Sequence, residues 1–388
     1  MRNILFLADP NSLHDIKWIS FFAHKGKGCF LLPRVYHYEQ FNRSLEKDSV
    51  LEQYRFQLLP PIHDFSILRF YRTLYEAHII RRIIVEKRID VVHILYAEPN
   101  ALWCLFRRFF SVPMIITTRG TDVLKTIPTF FKRRGLLNWT VAKAFKRAFR
   151  LADWVTVTSR AQAESIKEFA GVEGGLEVIR TGVDVDLITA DTSGYFPLQE
   201  SKPFVLFPRF LKPVYNHEFS LAAIALLPPE IKNKYKMVFI GKNGSDTTYR
   251  KKLEDLMLRQ PDVQFELIES QSQVAIFELY KRASLVVMTP LSDGSPVSGM
   301  EALLCGAKLI LGPLNYDMDI FSQAIRLSQW DPDVLAKIVT DALAQGHKSP
   351  RLTEAEIQAM DRAYNMQKMS EIYEAAGRRA TRSKQTSP

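Results

Sequence analysis

One short stretch of the chain places two acids on either side of a glycine- and serine-rich turn. Residues 285–289 before it predict a buried parallel strand, and residues 300–304 after it predict a helix that ends at Gly306. The N–H groups at a helix N-terminus and the positive end of the helix dipole both favour phosphate. We expect Asp293 in the turn and Glu301 in the first turn of the helix. The pattern predicts a site for a ligand with a diphosphate between hydroxyl-bearing groups.

The length and composition are typical of a globular protein with two domains. The chain has 388 residues, of which 47% are hydrophobic and 24% are charged. That is enough apolar material for two ordinary cores. The formal net charge is 52 − 42 = +10, and residues 1–190 supply 28 − 19 = +9 of it. A basic N-terminal half predicts an anionic partner, which could be a phospholipid surface, a phosphorylated acceptor or nucleic acid.

Cysteine usage and hydropathy favour an intracellular location. Cys29, Cys104 and Cys305 show no paired spacing, so we expect neither disulfides nor a zinc site, and a reducing cytosol fits. The apolar run at residues 4–8 is too short for the core of a signal peptide. No run of about eighteen apolar residues occurs, so no membrane-spanning helix is predicted. We therefore expect a cytoplasmic protein.

Apolar strand segments alternate with helical segments along most of the chain, which predicts α/β domains with parallel sheets. Open sheets of this kind bind ligands at the carboxyl ends of their strands. We predict a basic domain at 1–190, a linker at 191–203, a second domain at 204–352, a helical stretch at 353–377 that packs back toward the first domain, and a disordered tail at 378–388.

A basic and aromatic segment lies at residues 125–150. It holds eight Lys and Arg residues and no acid, with Phe and Trp side chains between them. One interpretation is a solvated face backed by core aromatics. The other is an amphipathic segment on an anionic membrane, where each basic group contributes about 1 kcal/mol.

Several segments in the same order resemble retaining glycosyltransferases of family 4. The stretch 293–306 is similar to the "E-x7-E" signature of that family and its following "E-A-M-x-C-G" run. Residues 4–12, 92–96, 116–122 and 152–159 resemble strands of its N-terminal domain, and 181–184 resemble its "NGVD" segment. The resemblance implies the GT-B architecture, an α/β fold of two Rossmann-like doubly wound domains that face each other across a cleft.

The resemblance also implies roles for residues of the second domain. Glu301 takes the place of the acid that contacts the ribose hydroxyls, and Asp293 that of the acid on the transferred sugar. Arg209 matches the arginine that neutralises the leaving diphosphate. The usual lysine of that turn is absent, so Lys212 could supply charge or Tyr215 a hydrogen bond. The remaining donor-side candidates lie in three turns: Asn216, Gly241, Gly294, Ser295, Val297 and Ser298.

Acceptor-side candidates come from the first domain. They are Asn11 and Ser12 after the first strand, and Arg119 and Asp122 after the strand at residues 114–118. Arg119 could bind a phosphate of the donor or acceptor, or it could pair with Asp122. His93 is interpreted as a core residue rather than a catalyst.

The implied activity is transfer of a sugar from a nucleotide-sugar to a glycan or lipid-linked acceptor in cell-surface polysaccharide or glycolipid synthesis. No metal or other cofactor is expected, because the Asp-x-Asp strings at 184–186, 317–319 and 331–333 are explained by chance and the histidines lack ligand spacing. We also expect peripheral attachment to the inner face of the plasma membrane through residues 125–150. Nucleic acid is disfavoured, since no recognition motif accompanies the charge. The alternative is a GT-B protein that binds a sugar nucleotide or glycan without turnover.

Overall fold

The chain divides into two compact units. The computed structural model describes residues 3–44, 47–172, 174–190, 193–198, 202–241, 246–346 and 350–385. Unit 1 comprises Met1–Thr181 with Tyr364–Pro388, and unit 2 comprises Gly182–Ala363. The boundary therefore falls at residue 181 rather than at 190. Residues 191, 192 and 199–201 of the predicted linker, and the last three residues of the tail, lie outside the described residues.

The sheet of unit 1 is entirely parallel and has seven strands in the order β3-β2-β1-β4-β5-β6-β7. The order reverses between β1 and β4, as expected for a doubly wound sheet. The strands are β1 (Asn3–Leu7), β2 (Gly28–Leu32), β3 (Gln57–Leu58), β4 (Val91–Leu95), β5 (Met114–Thr117), β6 (Trp154–Val157) and β7 (Leu176–Val178).

Helices cover both faces of this sheet. They are α1 (Leu13–His24), α2 (Val35–Asn42), α3 (Lys47–Tyr54), α4 (Phe70–Glu86), α5 (Arg107–Phe110), α6 (Ile127–Lys132), α7 (Leu136–Leu151), α8 (Arg160–Ala170) and, from the C-terminus, α17 (Arg362–Gln385). The helices α4, α5, α7 and α8 contribute to one apolar cluster, and α1 and α17 to another. Because the strands are buried on both sides, they read as continuous apolar runs.

The C-terminal helix is anchored to the middle of the unit 1 sheet. The Tyr373 hydroxyl lies 2.5 Å from Nδ1 of His93, whose Nε2 lies 2.6 Å from the Thr117 hydroxyl. All three side chains are buried, and burial holds the pKa of His93 well below its usual value. His93 is thus a hydrogen-bonded core residue, as its apolar flanks predict.

The sheet of unit 2 has six parallel strands in the order β10-β9-β8-β11-β12-β13. The strands are β8 (Phe204–Phe207), β9 (Lys236–Ile240), β10 (Phe265–Ile268), β11 (Leu285–Met288), β12 (Leu309–Leu311) and β13 (Ile325–Arg326). The helices are α9 (Val185–Thr189), α10 (His217–Ala225), α11 (Pro229–Lys234), α12 (Thr247–Leu258), α13 (Gln273–Arg282), α14 (Val297–Leu304), α15 (Pro332–Ala344) and α16 (Glu354–Met360).

The start of unit 2 explains one glycine of the predicted "NGVD" segment. Gly182 has φ = +67°, and a Cβ atom there would lie 2.6 Å from the Cα of Arg362. Val183 donates its N–H to the Met360 carbonyl and accepts the Arg362 N–H, at 2.8 Å each. Any larger residue would push these two backbone segments apart.

The predicted α/β class and the two doubly wound parallel sheets are confirmed. Three details differ. The two-residue strands β3 and β13 are too short to give a periodic signal. The apolar pattern predicts one helix around residues 102–110, and the structure has a 3-10 helix at Asn100–Phe106 followed by α5. The tail is helical as far as Gln385, because α17 continues past residue 378. No helix among the described residues is both long and apolar enough to span a membrane.

Candidate active site

The turn between β11 and α14 carries the acid-flanked motif at the carboxyl edge of the unit 2 sheet. Asp293 lies in the turn, where Oδ1 accepts the Gly294 N–H at 2.9 Å. Pro296 is the N-cap of α14 and has no N–H to leave unpaired. The amides of Val297 and Ser298 begin the helix and precede its first intrahelical hydrogen bond. The turn therefore has the backbone donors of an anion-binding site.

Glu301 lies one turn deeper than expected. The helix α14 begins at Val297, so Glu301 is its fifth residue and belongs to the second turn. The expectation that Glu301 lies in the first turn was wrong. Pro296 caps the helix, so α14 begins at Val297, three residues before the helix-forming run at residues 300–304. Gln273 on α13 donates to Glu301 Oε1 at 3.2 Å, which orients a half-buried carboxylate. A second-turn carboxylate suits a ligand group beside the helix rather than at its tip.

Arg209, which follows β8, extends into this turn. Its guanidinium donates to the Ser298 hydroxyl and reaches Asp293 Oδ2 at 3.5 Å. Its carbon Cζ lies 4.2 Å from the ring centroid of Tyr215. The structure thus joins three predicted donor-site residues in one half-buried cluster and places Tyr215 as a stacking partner of the arginine.

The electrostatics of the cluster favour a bound anion. Burial raises the pKa of Asp293, while Arg209 and the Gly294 amide lower it in part. Burial acts to lower the pKa of Arg209, but Asp293 and Tyr215 outweigh it, and the pKa is raised. Arg209 is therefore a permanent cation whose main protein counter-ion, Asp293, is in loose 3.5 Å contact. A diphosphate can replace that contact at low cost, since charge-assisted bonds to phosphate are strong.

The turn after β8 is held by a residue that the sequence analysis did not select. His217 is buried, and its Nε2 lies 3.0 Å from the Arg209 carbonyl and 3.2 Å from the Phe210 carbonyl. Two carbonyl acceptors require a proton on Nε2. Burial lowers the pKa of His217 to about 4, although the two carbonyls oppose the shift. A neutral histidine that donates to two carbonyls fixes the backbone from which Arg209 projects.

The remaining donor-side candidates of the turn after β8 are Asn216, which shapes the backbone of the turn, and Lys212, which is exposed. Asn216 adopts a left-handed conformation (φ = +53°), which asparagine tolerates better than most residues. Lys212 is exposed at the start of the 3-10 helix Pro213–Tyr215. The Val214 carbonyl accepts the Leu291 N–H at 2.8 Å, which ties this turn to the segment that leads into Asp293.

Gly241 at the end of β9 makes a close backbone approach. Its φ is +102°, and a Cβ atom would lie 2.5 Å from Cδ1 of Phe210. The glycine lets the segment after Arg209 pass over the end of the neighbouring strand. Its contribution to the site is thus to shape the edge on which Arg209 lies.

Two buried hydroxyls at this edge lack a hydrogen-bond partner among the described residues, those of Ser295 and Tyr316. Tyr316 follows β12, the strand next to β11, and its ring packs against Phe321 at a centroid distance of 5.9 Å. Burial and then the charge of Asp293 raise the pKa of Tyr316. A buried hydroxyl without a partner costs about 1–3 kcal/mol, so both groups gain if a ligand or a rearranged neighbour bonds to them. Nothing in the local sequence marked Tyr316 as a site residue.

At the carboxyl edge of the unit 1 sheet, by contrast, the candidate Asp122 is hydrogen-bonded within the protein. Asp122 is fully buried, and its carboxylate accepts the backbone N–H groups of Ala97, Arg119, Gly120 and Val123 at 2.8–3.3 Å. It shapes the turn after β5 and presents no carboxylate oxygen to solvent. The turn uses Asp122 as an internal cap, and a contact of Asp122 with an acceptor stays a prediction.

Arg119 makes an ion pair with Asp15, a residue that the sequence analysis did not consider. Its Nη2 lies 2.9 Å from Asp15 Oδ1, Nη1 donates to the Thr181 hydroxyl at 3.2 Å, and the guanidinium stacks over Trp18 at 4.8 Å. Only its backbone N–H contacts Asp122. The helix α1 brings Asp15 into place. Of the two alternatives for Arg119, the side-chain pair with Asp122 is therefore not formed, and a contact with phosphate stays a prediction.

Asn11 and Ser12 lie after β1 as predicted. Ser12 is the N-cap of α1 and accepts the Asp15 N–H at 3.3 Å, a role that needs its hydroxyl. Asn11 is exposed and donates from Nδ2 to Asp9 Oδ1 and to the His37 carbonyl, at 3.0 and 2.9 Å. Of the four acceptor-side candidates, Asn11 is the most open to a ligand.

Among the described residues, no group of three or more His, Cys, Asp or Glu side chains is placed to hold a metal ion. Asp184 and Asp331, each in an Asp-x-Asp string, cap the helices α9 and α15. Cys29 and Cys104 are buried free thiols and Cys305 is a half-buried one.

Sequence comparison assigns both halves of the chain. A sequence model described as Glycosyltransferase Family 4 matches residues 36–187, and one described as Glycosyl transferases group 1 matches residues 193–358. The two matches together span most of the chain, and the second contains Arg209, Asp293 and Glu301. Comparison with curated protein sequences gives no match.

Solved structures of similar fold extend over the whole chain. A glycosyltransferase from Rickettsia africae has a TM-score of 0.71 at 13% identity, with 97% of this chain and 98% of that one covered. Anabaena HepE in complex with UDP-glucose has a TM-score of 0.68 at 15% identity, with 97% of this chain and 100% of that one covered. Sucrose-phosphate synthase from Thermosynechococcus elongatus has a TM-score of 0.71 at 15% identity, with 97% of this chain and 99% of that one covered. At these identities the likeness shows the fold, which is GT-B.

Proposed function

Because the chain belongs to the group 1 glycosyltransferases, we propose that it transfers a sugar from a nucleotide-sugar to a glycan or lipid-linked acceptor, with net retention at the anomeric carbon. The observation that carries the proposal is the cluster of Arg209, Asp293 and Ser298 at the N-terminus of α14. It combines a permanent cation, the amides of a helix start and a carboxylate at the carboxyl edge of one sheet. That combination fits a sugar diphosphate.

The reaction breaks the bond between the sugar C1 and the diphosphate oxygen and forms one from C1 to an acceptor hydroxyl oxygen. The nucleoside diphosphate leaves with the bonding electrons, and its departing oxygen takes up the proton that the acceptor hydroxyl loses. Negative charge therefore grows on the diphosphate as the sugar gains oxocarbenium character. Stabilising that charge with groups already in place is the main catalytic task. In this proposal Arg209 and the amides of Val297 and Ser298 perform it.

The two acids take separate parts. Once Arg209 contacts the diphosphate, Asp293 is released from its 3.5 Å ion pair and is free to accept hydrogen bonds from the transferred sugar. Glu301, in the second turn of α14, accepts hydrogen bonds from the ribose hydroxyls beside the helix. Gln273, which donates to Glu301, holds its carboxylate in one orientation. The exposed Lys212 contributes long-range charge rather than a direct contact.

The biological setting of this proposal is cell-surface polysaccharide or glycolipid synthesis at the inner face of the plasma membrane. Residues 125–150 support it, with eight basic residues and no acid. On α7, Leu136, Leu137 and Trp139 are exposed among these charges. Apolar and basic groups on one helix surface favour the interface of an anionic bilayer.

The test is nucleotide release with a panel of sugar nucleotides. UDP-sugars head the panel because HepE, a structure of similar fold, binds UDP-glucose, and lipid-linked and free glycans serve as acceptors. We expect release of the nucleoside diphosphate that depends on the acceptor. Binding of a donor without release under any condition would overturn the transferase proposal and leave a sugar-nucleotide-binding protein.

The expected independence of metal ions needs a separate measurement. Arg209 and the helix-start amides supply positive charge at the diphosphate, so a divalent cation is not required to neutralise it. We expect a chelator to leave the rate of nucleotide release unchanged. A rate that falls with the chelator and returns with added magnesium or manganese would refute this part of the proposal.

A further inference from the structure

The helix α4 of unit 1 has an apolar outer face in addition to its apolar inner face. Ala77, Ile80 and Ile84 pack into the core of unit 1. On the opposite side, Tyr71 and Tyr75 are 77% and 67% exposed. Leu74 and Val85 are also exposed on that side. A surface helix normally presents polar residues there, so this stripe of aromatic and aliphatic side chains requires an explanation.

The charge around the stripe is positive. Residues 69–88 contain six Lys and Arg and two acids, 6 − 2 = +4. Glu76 is one of the acids, and it is buried with His63 Nδ1 at 2.7 Å from its Oε1. The other, Glu86, is exposed and pairs with Arg82 at 3.1 Å. The outward-facing surface of α4 is therefore apolar and cationic at the same time.

A shallow depression follows this outer face. Its volume is about 660 Å³. Arg81 borders it and is fixed by α5, since its Nη1 donates to the Phe109 carbonyl at 2.7 Å and its guanidinium stacks on the Phe109 ring at 4.6 Å. The residues of α4 that line the depression are Leu74, Tyr75, His78, Ile79, Arg81, Arg82 and Val85.

The helices α4 and α7 belong to the same helical layer of unit 1. Both contribute buried side chains to one apolar cluster on the same face of the sheet. The exposed Trp139 on α7 lies under the ammonium group of Lys143, which is 3.6 Å from its ring centroid. Two helices of one layer thus expose aromatic rings beside fixed cations. Tyrosine and tryptophan with adjacent basic groups favour the headgroup level of a bilayer.

We propose that the outer face of α4 docks on the anionic phospholipid surface of a bilayer, with its tyrosines and Leu74 at the headgroup level and its arginines on lipid phosphates. The inference rests on the membrane setting of the proposed function, and it adds a second apolar anchor to the exposed apolar side chains of residues 125–150. Attachment by charge alone weakens steeply with salt. Burial of tyrosine and leucine side chains adds a component that salt does not screen.

A second copy of the chain is a poorer occupant of this face. Two copies in a symmetric contact would bring the same patch together, and this patch carries a net positive charge. Nucleic acid is also a poorer occupant, because the aliphatic side chains Leu74 and Val85 have no favourable partner in a phosphate backbone. An anionic bilayer satisfies both the charge and the apolar area.

The test is co-sedimentation of the full chain with vesicles of phosphatidylcholine mixed with phosphatidylglycerol, and with vesicles of phosphatidylcholine alone. We expect binding to the mixed vesicles only. Replacing the outer stripe with serine (Leu74→Ser, Tyr75→Ser, Val85→Ser) should weaken binding about tenfold or more. The variant should keep its unfolding temperature, since none of the three side chains is part of the buried core.

A matched control removes exposed apolar side chains from unit 2. Leu226→Ser with Leu258→Ser, two exposed positions, should bind vesicles like the wild type. A third variant reverses charge at Lys132, Arg133 and Arg134 and tests residues 125–150 separately.

The possible outcomes distinguish the inference from the proposed function. If the outer-stripe variant binds like the wild type while the charge-reversal variant does not, α4 is not an anchor and the membrane setting stands. If the wild type binds no vesicle, the membrane setting and this inference both fail, while the transferase activity remains testable by nucleotide release. If the wild type is a dimer that the outer-stripe variant dissociates, the face is a contact between copies and the inference is overturned.

Discussion

Two turns of this molecule have similar composition and position but use their charged residues in opposite ways. The turn after β5 in unit 1 contains Arg119 and Asp122, and the turn after β11 in unit 2 contains Asp293 and receives Arg209. Each lies at the carboxyl end of a buried parallel strand and contains a glycine within two residues of an acid. In unit 1 both charged groups are bound within the unit. In unit 2 they are in loose contact and remain available to a ligand.

The number of internal hydrogen bonds explains the difference. The carboxylate of Asp122 accepts four backbone N–H groups, and the guanidinium of Arg119 has an ion pair at 2.9 Å. The Asp293–Arg209 contact is 3.5 Å long, and two nearby hydroxyls have no partner in the part of the chain that the structure describes. Position at a strand end is therefore not enough to identify a site. The turn of unit 2 is distinguished by the longer, weaker contact between its charged groups, 3.5 Å against the 2.9 Å ion pair of Arg119.

The largest expected effect separates the two arginines. Arg209→Ala should lower kcat/KM by at least about a hundredfold, which is typical for removal of a group that stabilises transition-state charge. Its unfolding temperature should change little. Arg119→Ala should instead lower stability, because it leaves Asp15 buried without its counter-ion, and should keep the kcat/KM of the folded fraction within about tenfold.

Parallel measurements of steady-state kinetics and thermal unfolding on both variants test this contrast. The comparison fails if Arg209→Ala retains nearly full activity. It also fails if Arg119→Ala loses as much kcat/KM as Arg209→Ala without any loss of stability.

The next effect concerns Asp122. Replacement by alanine leaves the buried N–H groups of Ala97 and Gly120 without their acceptor. We expect a loss of about 2 kcal/mol in the free energy of unfolding, within the range for unsatisfied buried groups. Urea unfolding of Asp122→Ala and Asp122→Asn measures it, and the asparagine should recover part of the loss through its carbonyl oxygen. Wild-type stability in Asp122→Ala would show that the carboxylate does not hold the turn.

His217 gives the site turn a predictable pH dependence. Its pKa falls from 6.5 in the unfolded chain to about 4 in the folded protein, so between these values the unfolded state binds the additional proton. The stability that neutral His217 contributes is complete above pH 6.5 and is lost as the pH falls toward 4, with a slope of up to about 1.4 kcal/mol per pH unit.

The measurement compares the wild type with His217→Gln, whose amide can donate to the same carbonyls but does not titrate. The difference in unfolding free energy between the two should change by the slope above over this pH window. A difference that is constant between pH 4 and 6.5 would contradict the buried neutral imidazole.

The smallest effect is expected at Tyr316. Tyr316→Phe keeps the ring packed on Phe321 and removes only the hydroxyl, which is buried and without a partner in the described structure. If a bound donor or the released Asp293 supplies that partner, kcat/KM should fall about fivefold, the equivalent of one hydrogen bond. Tyr235→Phe, at a tyrosine buried in the other apolar cluster of unit 2, is the matched control. Equal activity in the two variants would remove Tyr316 from the site.

The sequence predicted the parts of this molecule that depend on local pattern. Buried strands such as β4 (Val91–Leu95), in which His93 is the one polar residue, and β8 (Phe204–Phe207) are apolar runs of the kind that predicts a parallel strand. Gly306 ends α14 in a left-handed conformation as expected from its place after the apolar run. The resemblance of 293–306 to a known signature then indicated the two acids, and the resemblance of the turn after residues 204–207 indicated Arg209.

Most of the residues that the sequence analysis missed, or whose contacts it did not predict, depend on neighbours that are distant in the sequence. The pairing of Arg119 with Asp15 joins residues 104 positions apart, and no periodicity indicates such a pair. His217 reads as an ordinary helix-start residue until the fold brings two carbonyls to its Nε2. Tyr316 is a candidate because its buried hydroxyl lacks a hydrogen-bond partner among the described residues, and a sequence does not show this. Glu301 was placed one turn too early because the helix start was taken from helix propensity, whereas Pro296 sets it.

The most direct test of the account is the effect of nucleoside diphosphates on thermal stability in the wild type and in Glu301→Ala. A ligand that binds the folded state raises stability by RT ln(1 + [L]/Kd). We predict that at least one nucleoside diphosphate or sugar nucleotide raises the unfolding temperature of the wild type, and that the same concentration produces a much smaller shift in Glu301→Ala. An equal shift in both proteins, or no shift of the wild type with any nucleotide, would contradict the assignment of the α14 turn as the donor site.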